Sequence, residues 1–124
     1  MKRDMDLIRR IALETSDMEF GAVLRSLDGV DQAAFAVHVM WMQEAGLLVA
    51  TVQEYLGNSP PSAFVRRLTW PGCEFADAVR SDTVWKKAKE QVLKPAGSFT
   101  FDFLKDWLKS EITQGFPTVR SLAN

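Results

Sequence analysis

The chain has 124 residues, 47% hydrophobic and 25% charged, with net charge −1 at pH 7 and one cysteine, Cys73. That length and balance suit one compact domain with an ordinary globular surface and no global pull toward nucleic acid. A lone cysteine excludes an intrachain disulfide, and with a single histidine it leaves too few ligands for a zinc site.

Charge is unevenly spread along the chain. Residues 26–65 hold Asp28, Asp31, Glu44 and Glu54 and no Lys or Arg, so any phosphate-binding face must come from the two ends. The opening MKRDMD lacks the apolar run of a secretory signal. The most apolar stretch, Ala33–Met42, is about half a bilayer span. A soluble, cytoplasmic protein without membrane contact is the expectation.

Residues 4–14 predict a first helix, with Leu7, Ile8, Ile11 and Ala12 on one face and Asp4 as cap or first-turn carboxylate. Residues 19–27 fit either a short helix or a strand. Gly21 and the alternation through Val23, Arg25 and Leu27 tip the reading toward strand. Asp28-Gly29 signals a turn, and Asp31 caps a helix from about Gln32 to Ala45 that stops at Gly46. Phe35, Val39 and Met42 form one apolar stripe of that helix. Ala33, Val37, Met40 and Trp41 form a second, so the helix expects cover on two sides.

Leu47–Leu56 and Ala63–Thr69 read as strands joined by a turn-rich loop, Gly57–Ser62. The adjacent Arg66 and Arg67 are expected on opposite faces of the second strand. Pro71-Gly72 opens a helix to about Arg80. Ser81 or Asp82 caps the next helix, with Val84, Trp85, Ala88 and Val92 inward, and Pro95-Ala96-Gly97 ends it. A last helix spans Thr100–Gln114 with Phe101, Leu104, Leu108 and Ile112 inward and Phe103 and Trp107 on a flank. The tail from Phe116 shows no periodicity.

Three segments carry a resemblance: MKRDMDLIRRIALE, HVMWMQEAGLL and the long LTWPGCEFADAVRSDTVWKKAKEQVLKPAGSFTFDFLKDWLKS. They resemble a bacterial and prophage family known as domain of unknown function 2513, over Met1 to about Ser110. That likeness implies a phage-associated protein and carries no catalytic residues. More widely, His38 to Leu48 followed by Leu68-Thr69-Trp70-Pro71-Gly72 is similar to winged-helix regulators, in which a helix runs into a wing and a Leu-Thr-x-x-Gly helix. The departure lies at the groove-facing positions Ala33, Ala34, Val37, Met40 and Trp41, which are apolar.

Chemistry-bearing groups are sparse. Cys73 and His38 are expected as a small core residue and a core-edge histidine. Asp102 and Asp106, with Lys105 and Lys109, read as a solvated helix face with ordinary ion pairs. No phosphate loop, nucleophile elbow or dinucleotide fingerprint is present. No enzyme activity, cofactor or metal is therefore expected.

Base readout needs Arg, Lys, Asn or Gln in the groove, and on the helix over 32–45 only Gln32 and Gln43 qualify. The second stripe instead calls for apolar cover, either from the C-terminal segment with Phe99, Phe103 and Trp107 or from a second molecule.

The expected architecture is α+β: a winged helix-turn-helix-like domain with a β-hairpin wing and two additional C-terminal helices. It forms a single domain over residues 1–115, with a core over 1–80, a helical extension over 81–115 and a loose tail over 116–124. The favoured function is protein–protein interaction, with a partner protein or a second copy, through Val37, Met40 and Trp41 with Trp107 in reserve. The alternative is a DNA-binding regulator contacting phosphates through Arg9, Arg10, Arg66, Arg67, Lys86 and Lys87.

Overall fold

Asp4 starts the first helix by accepting hydrogen bonds from the Asp6 and Leu7 N–H groups, which no helical carbonyl can reach. In the computed structural model, which describes residues 1–94 and 100–115, helix α1 then runs Met5–Asp17. It buries Leu7, Ile8, Ile11, Ala12 and Thr15. The described residues form a mixed α+β structure of five α-helices and one two-stranded antiparallel hairpin. The expected stop at Pro95-Ala96-Gly97, Phe99, and the tail from Phe116 lie outside the described residues. The chain divides into two compact units, Met1–Ala76 and a second that begins at Asp77.

Residues 18–31 contain no helix. The alternation through Val23 and Arg25 yields a single antiparallel bridge, in which Leu24 and Val65 exchange backbone hydrogen bonds of 3.0 and 2.9 Å. Gly21 and Gly29 take positive φ in the turns on either side. The segment is thus extended at one point and turns elsewhere, and a positioning helix is absent.

Helix α2 covers Gln32–Glu44 with Asp31 capping through the Ala34 N–H. It ends in a Schellman closure. The Leu47 N–H reaches the Met42 carbonyl and the Gly46 N–H reaches that of Gln43, with Gly46 left-handed at φ +79°. Phe35, Ala36, His38, Val39 and Met42 are buried.

Strands β1 (Leu48–Gln53) and β2 (Ser62–Leu68) pair antiparallel. β1 stops three residues short of the expected Leu56, because the partner chain there is Pro60-Pro61, which has no N–H to donate. Val49 pairs with Arg67 and Ala50 with Val65, so β2 carries one extra residue, Arg66. This bulge overturns the expectation that Arg66 and Arg67 face opposite ways. Both are exposed, and the inward parity shifts from Ala63 and Val65 to Leu68.

Helix α3 (Trp70–Val79) is locked to the end of α2. The Thr69 N–H donates to Leu47 O, the Thr69 hydroxyl donates to Gly46 O, and the same hydroxyl accepts from the Gly72 N–H. A Cβ on Gly72 would run into the Leu47 carbonyl oxygen. The buried positions of α3 are Gly72, Phe75, Ala76 and Val79, a helical stripe at i, i+3, i+4, i+7. Cys73 lies one step off that stripe and is exposed, which corrects the expectation of a core cysteine.

In the second unit Ser81 caps α4 (Asp82–Ala88), which continues as a π-helical turn, Lys89–Leu93. Trp85, Ala88 and Val92 are buried and Val84 is half-buried. Helix α5 spans Phe101–Gly115; Leu104 and Leu108 are buried, while Phe101 and Ile112 are only half-buried.

Two stability predictions follow from this packing. Gly72→Ala should lower unfolding stability by about 3 kcal/mol, since the methyl can fit only by lifting α3 off the Leu47 carbonyl; a thermal or urea melt measures it. Thr15 carries a buried hydroxyl with no hydrogen-bond partner among the described residues. Thr15→Val keeps the shape, removes the desolvated hydroxyl and should raise stability by about 1 kcal/mol, seen as a higher urea midpoint at unchanged m.

Candidate functional site

Helix α2 divides lengthwise. Ala33, Ala34, Val37, Met40 and Trp41, the five positions that would face a groove in winged-helix regulators, are all half-buried. Its two amide side chains are engaged. Gln32 Nε2 donates to the Arg25 carbonyl at 2.9 Å, which ties the bridge segment to the helix start. Gln43 Oε1 accepts from the Ala50 N–H at 2.6 Å, beside the β2 bulge. With no Lys or Arg between Gln32 and Glu44, the helix offers an apolar flank and no unengaged amide.

His38 is buried at 2% exposure with both ring nitrogens bonded. Nε2 accepts from the Asp4 N–H at 2.8 Å and Nδ1 lies 2.7 Å from the Ala34 carbonyl, so Nδ1 carries the proton. The ring also meets Trp41 edge-on, centroids 5.0 Å apart. His38 thus clamps the α1 cap to α2 and fixes the Trp41 indole from below. This is a positional role, with neither nitrogen left for a ligand.

The basic candidates are scattered. Arg9 and Arg10 are half-buried on α1, and Arg10 donates to the Asp28 carbonyl at 2.9 Å. Arg67 bonds the neighbouring Leu68 carbonyl at 3.2 Å. Lys86 and Lys87 are exposed in the second unit, where Lys87 pairs with Glu111 at 3.0 Å. Trp107 is half-buried on α5.

One cluster brings arginines together. The Arg25 guanidinium carbon sits 4.7 Å from the Phe64 ring centroid and that of Arg66 sits 5.3 Å from it. Arg66 Nε also donates to the Thr51 hydroxyl at 2.9 Å. Phe64 was not singled out in the sequence. The signal was its place at i−2 from Arg66 on the outward parity of β2, opposite Thr51.

Other large apolar side chains stand in solvent with no sequence period to mark them. Phe20 and Leu56 are fully exposed in loops, and Trp70 is 80% exposed at the start of α3. Trp70 follows the capping Thr69, so the backbone lock that seats α3 also holds its indole outward. Asp102 and Asp106 are exposed on α5, and Lys105 Nζ lies 3.6 Å from Asp102. Among the described residues no group of three His, Cys, Asp or Glu side chains could hold a metal, and no helix is long and apolar enough to cross a membrane.

The chain belongs to the family described as hypothetical protein, domain of unknown function 2513, whose model matches residues 2–98. It is similar to an uncharacterised protein of Haemophilus influenzae, 33% identical over 117 residues, covering 92% of this chain and 98% of that protein. No solved structure matches.

The histidine clamp is directly testable. His38→Phe keeps an aromatic ring under Trp41 but leaves the Asp4 N–H without its acceptor. It should cost about 1–3 kcal/mol and speed hydrogen exchange at the first turn of α1; unchanged exchange there would show that the clamp does not hold the cap.

Proposed function

We propose that this member of the family is a non-catalytic interaction module, a winged-helix variant that meets another protein through the outer flank of α2. The order α1, bridge at Leu24, α2, β1, β2 supports the winged-helix reading, with the single bridge and a turn standing where a positioning helix would lie. The family resemblance supports a phage or prophage setting.

The observation that carries the reading is the state of α2. Its outward flank is Val37, Met40 and Trp41, half-buried and apolar, and its two amides are already bonded to backbone. Half-exposed Trp and Met side chains are enriched where proteins meet, and burying what remains of each apolar surface is favourable by about 25 cal/mol per Å². Trp41 is also braced on one side by the edge-on His38 ring. A rigid aromatic loses little conformational entropy on docking. DNA would find no Arg, Lys, Asn or Gln on this flank to distinguish one base pair from another.

The test is a Val37→Lys/Met40→Lys double variant, which adds charge at two half-buried positions without touching the His38 clamp. Sedimentation velocity should show the wild-type chain associating, with itself or with a co-purified protein. The variant should run as a single 14.0 kDa chain. Circular dichroism and a urea midpoint confirm that the variant is folded. If both proteins run as lone monomers, the reading is overturned.

A further inference from the structure

We propose that the outer face of the hairpin, centred on Arg25, Phe64 and Arg66, binds the phosphodiester backbone of duplex DNA without reading its sequence. This site is distinct from the α2 flank and stands or falls separately.

The observations are these. Two guanidinium groups are held against one ring, at 4.7 and 5.3 Å from its centroid. Their central carbons therefore lie no more than about 10 Å apart, near one Debye length at 0.1 M salt, so the two charges feel each other. Neither arginine has a carboxylate partner among the described residues. What holds them is the ring for both and the Thr51 hydroxyl for Arg66. An arginine stacked on an aromatic face keeps the donors around its edge directed outward. The Arg25 side chain makes no hydrogen bond among the described residues, and Arg66 commits only Nε. What remains are the terminal nitrogens of two guanidinium groups, each able to hold an oxyanion bidentately.

The surroundings select the kind of anion. Strand β2 itself, Ser62–Leu68, holds Arg66 and Arg67 and no acid. The bulge turns Arg67 outward beside Arg66. Several cations along one sheet face call for a row of anions that brings no cations of its own. A phosphodiester strand is such a row, whereas acidic protein surfaces intersperse both signs. The same structure denies base recognition, because the helix that would enter the groove has both amides bonded to backbone. Affinity should therefore come from phosphates alone.

The experiment is fluorescence anisotropy with a labelled 20-base-pair duplex, titrated with the full chain across a salt series. The comparison is an Arg25→Gln/Arg66→Gln double variant. Both side chains are exposed, so an unchanged urea midpoint verifies the fold. The wild type should bind at low salt, with affinity falling linearly in log–log form and equal within about threefold between unrelated sequences. Removing two phosphate contacts should reduce the magnitude of the salt slope by about 1.8. Three results overturn the proposal: no wild-type binding at low salt, an unchanged slope in the variant, or polyglutamate of equal charge competing as well as unlabelled duplex. The last would reassign the face to acidic proteins.

Discussion

The hydroxyl and N–H of Thr69 join the two ends of the hairpin, and most of the first unit is arranged around that junction. The backbone leaves α2 through the left-handed Gly46 and Leu47, runs out and back through β1 and β2, and returns to the same two carbonyls. Closing the loop there sets where α3 begins and forbids a side chain at Gly72. It also fixes the strand register. Leu48 must face Leu68, yet the loop end of the hairpin needs Gln53 opposite Ser62. Those two pairings differ by one residue, and the Arg66 bulge absorbs the difference.

The bulge then decides what the hairpin shows to solvent. In a regular strand Arg67 would share a face with Val65 and sink toward the core, an arrangement that would cost several kcal/mol for an unpaired cation. The additional residue turns Arg67 outward beside Arg66 and lets Leu68 complete the core. Arg66 then lies on the parity of Phe64, and the bridge at Leu24 brings Arg25 to the same ring from the other side of β2. The cluster is thus built from two segments, β2 and the bridge strand, joined at Val65.

Much of this was legible in the sequence where one period governs. The ends of α2, its capping by Asp31, its stop at Gly46 and its two stripes follow from 3.6-residue spacing and the chemistry of Asp and Gly, and α1, α4 and α5 are read the same way. What escaped depends on contacts between distant segments. Cys73 looked apolar beside Phe75 and Ala76, but its exposure is set by Gly72 having to meet Leu47. The arginine parity required knowing that β1 and β2 differ by one residue between their ends. Phe64 looked like one more strand aromatic until Arg25, 39 positions earlier, was placed beside it. Residues 19–27 stayed ambiguous because a single bridge leaves almost no pattern to read.

The position of Gln43 ties the two faces together energetically. A side-chain amide bonded bidentately to the right base is worth about 1–3 kcal/mol of discrimination. To reach a base, Gln43 would have to release the Ala50 N–H beside the bulge, an exposed hydrogen bond worth about 0.5–1.5 kcal/mol. That cost offsets part of any discrimination gained through this residue, and Gln32 is likewise engaged by the Arg25 carbonyl. The amides that could have read DNA are the ones that hold the bridge and the bulge in place. The bridge sets Arg25 beside Phe64, and the bulge turns Arg67 outward beside Arg66. The geometry that presents cations on the hairpin therefore rests on groups withdrawn from recognition on the helix, and a variant that restored reading power to α2 would loosen the arginine pair.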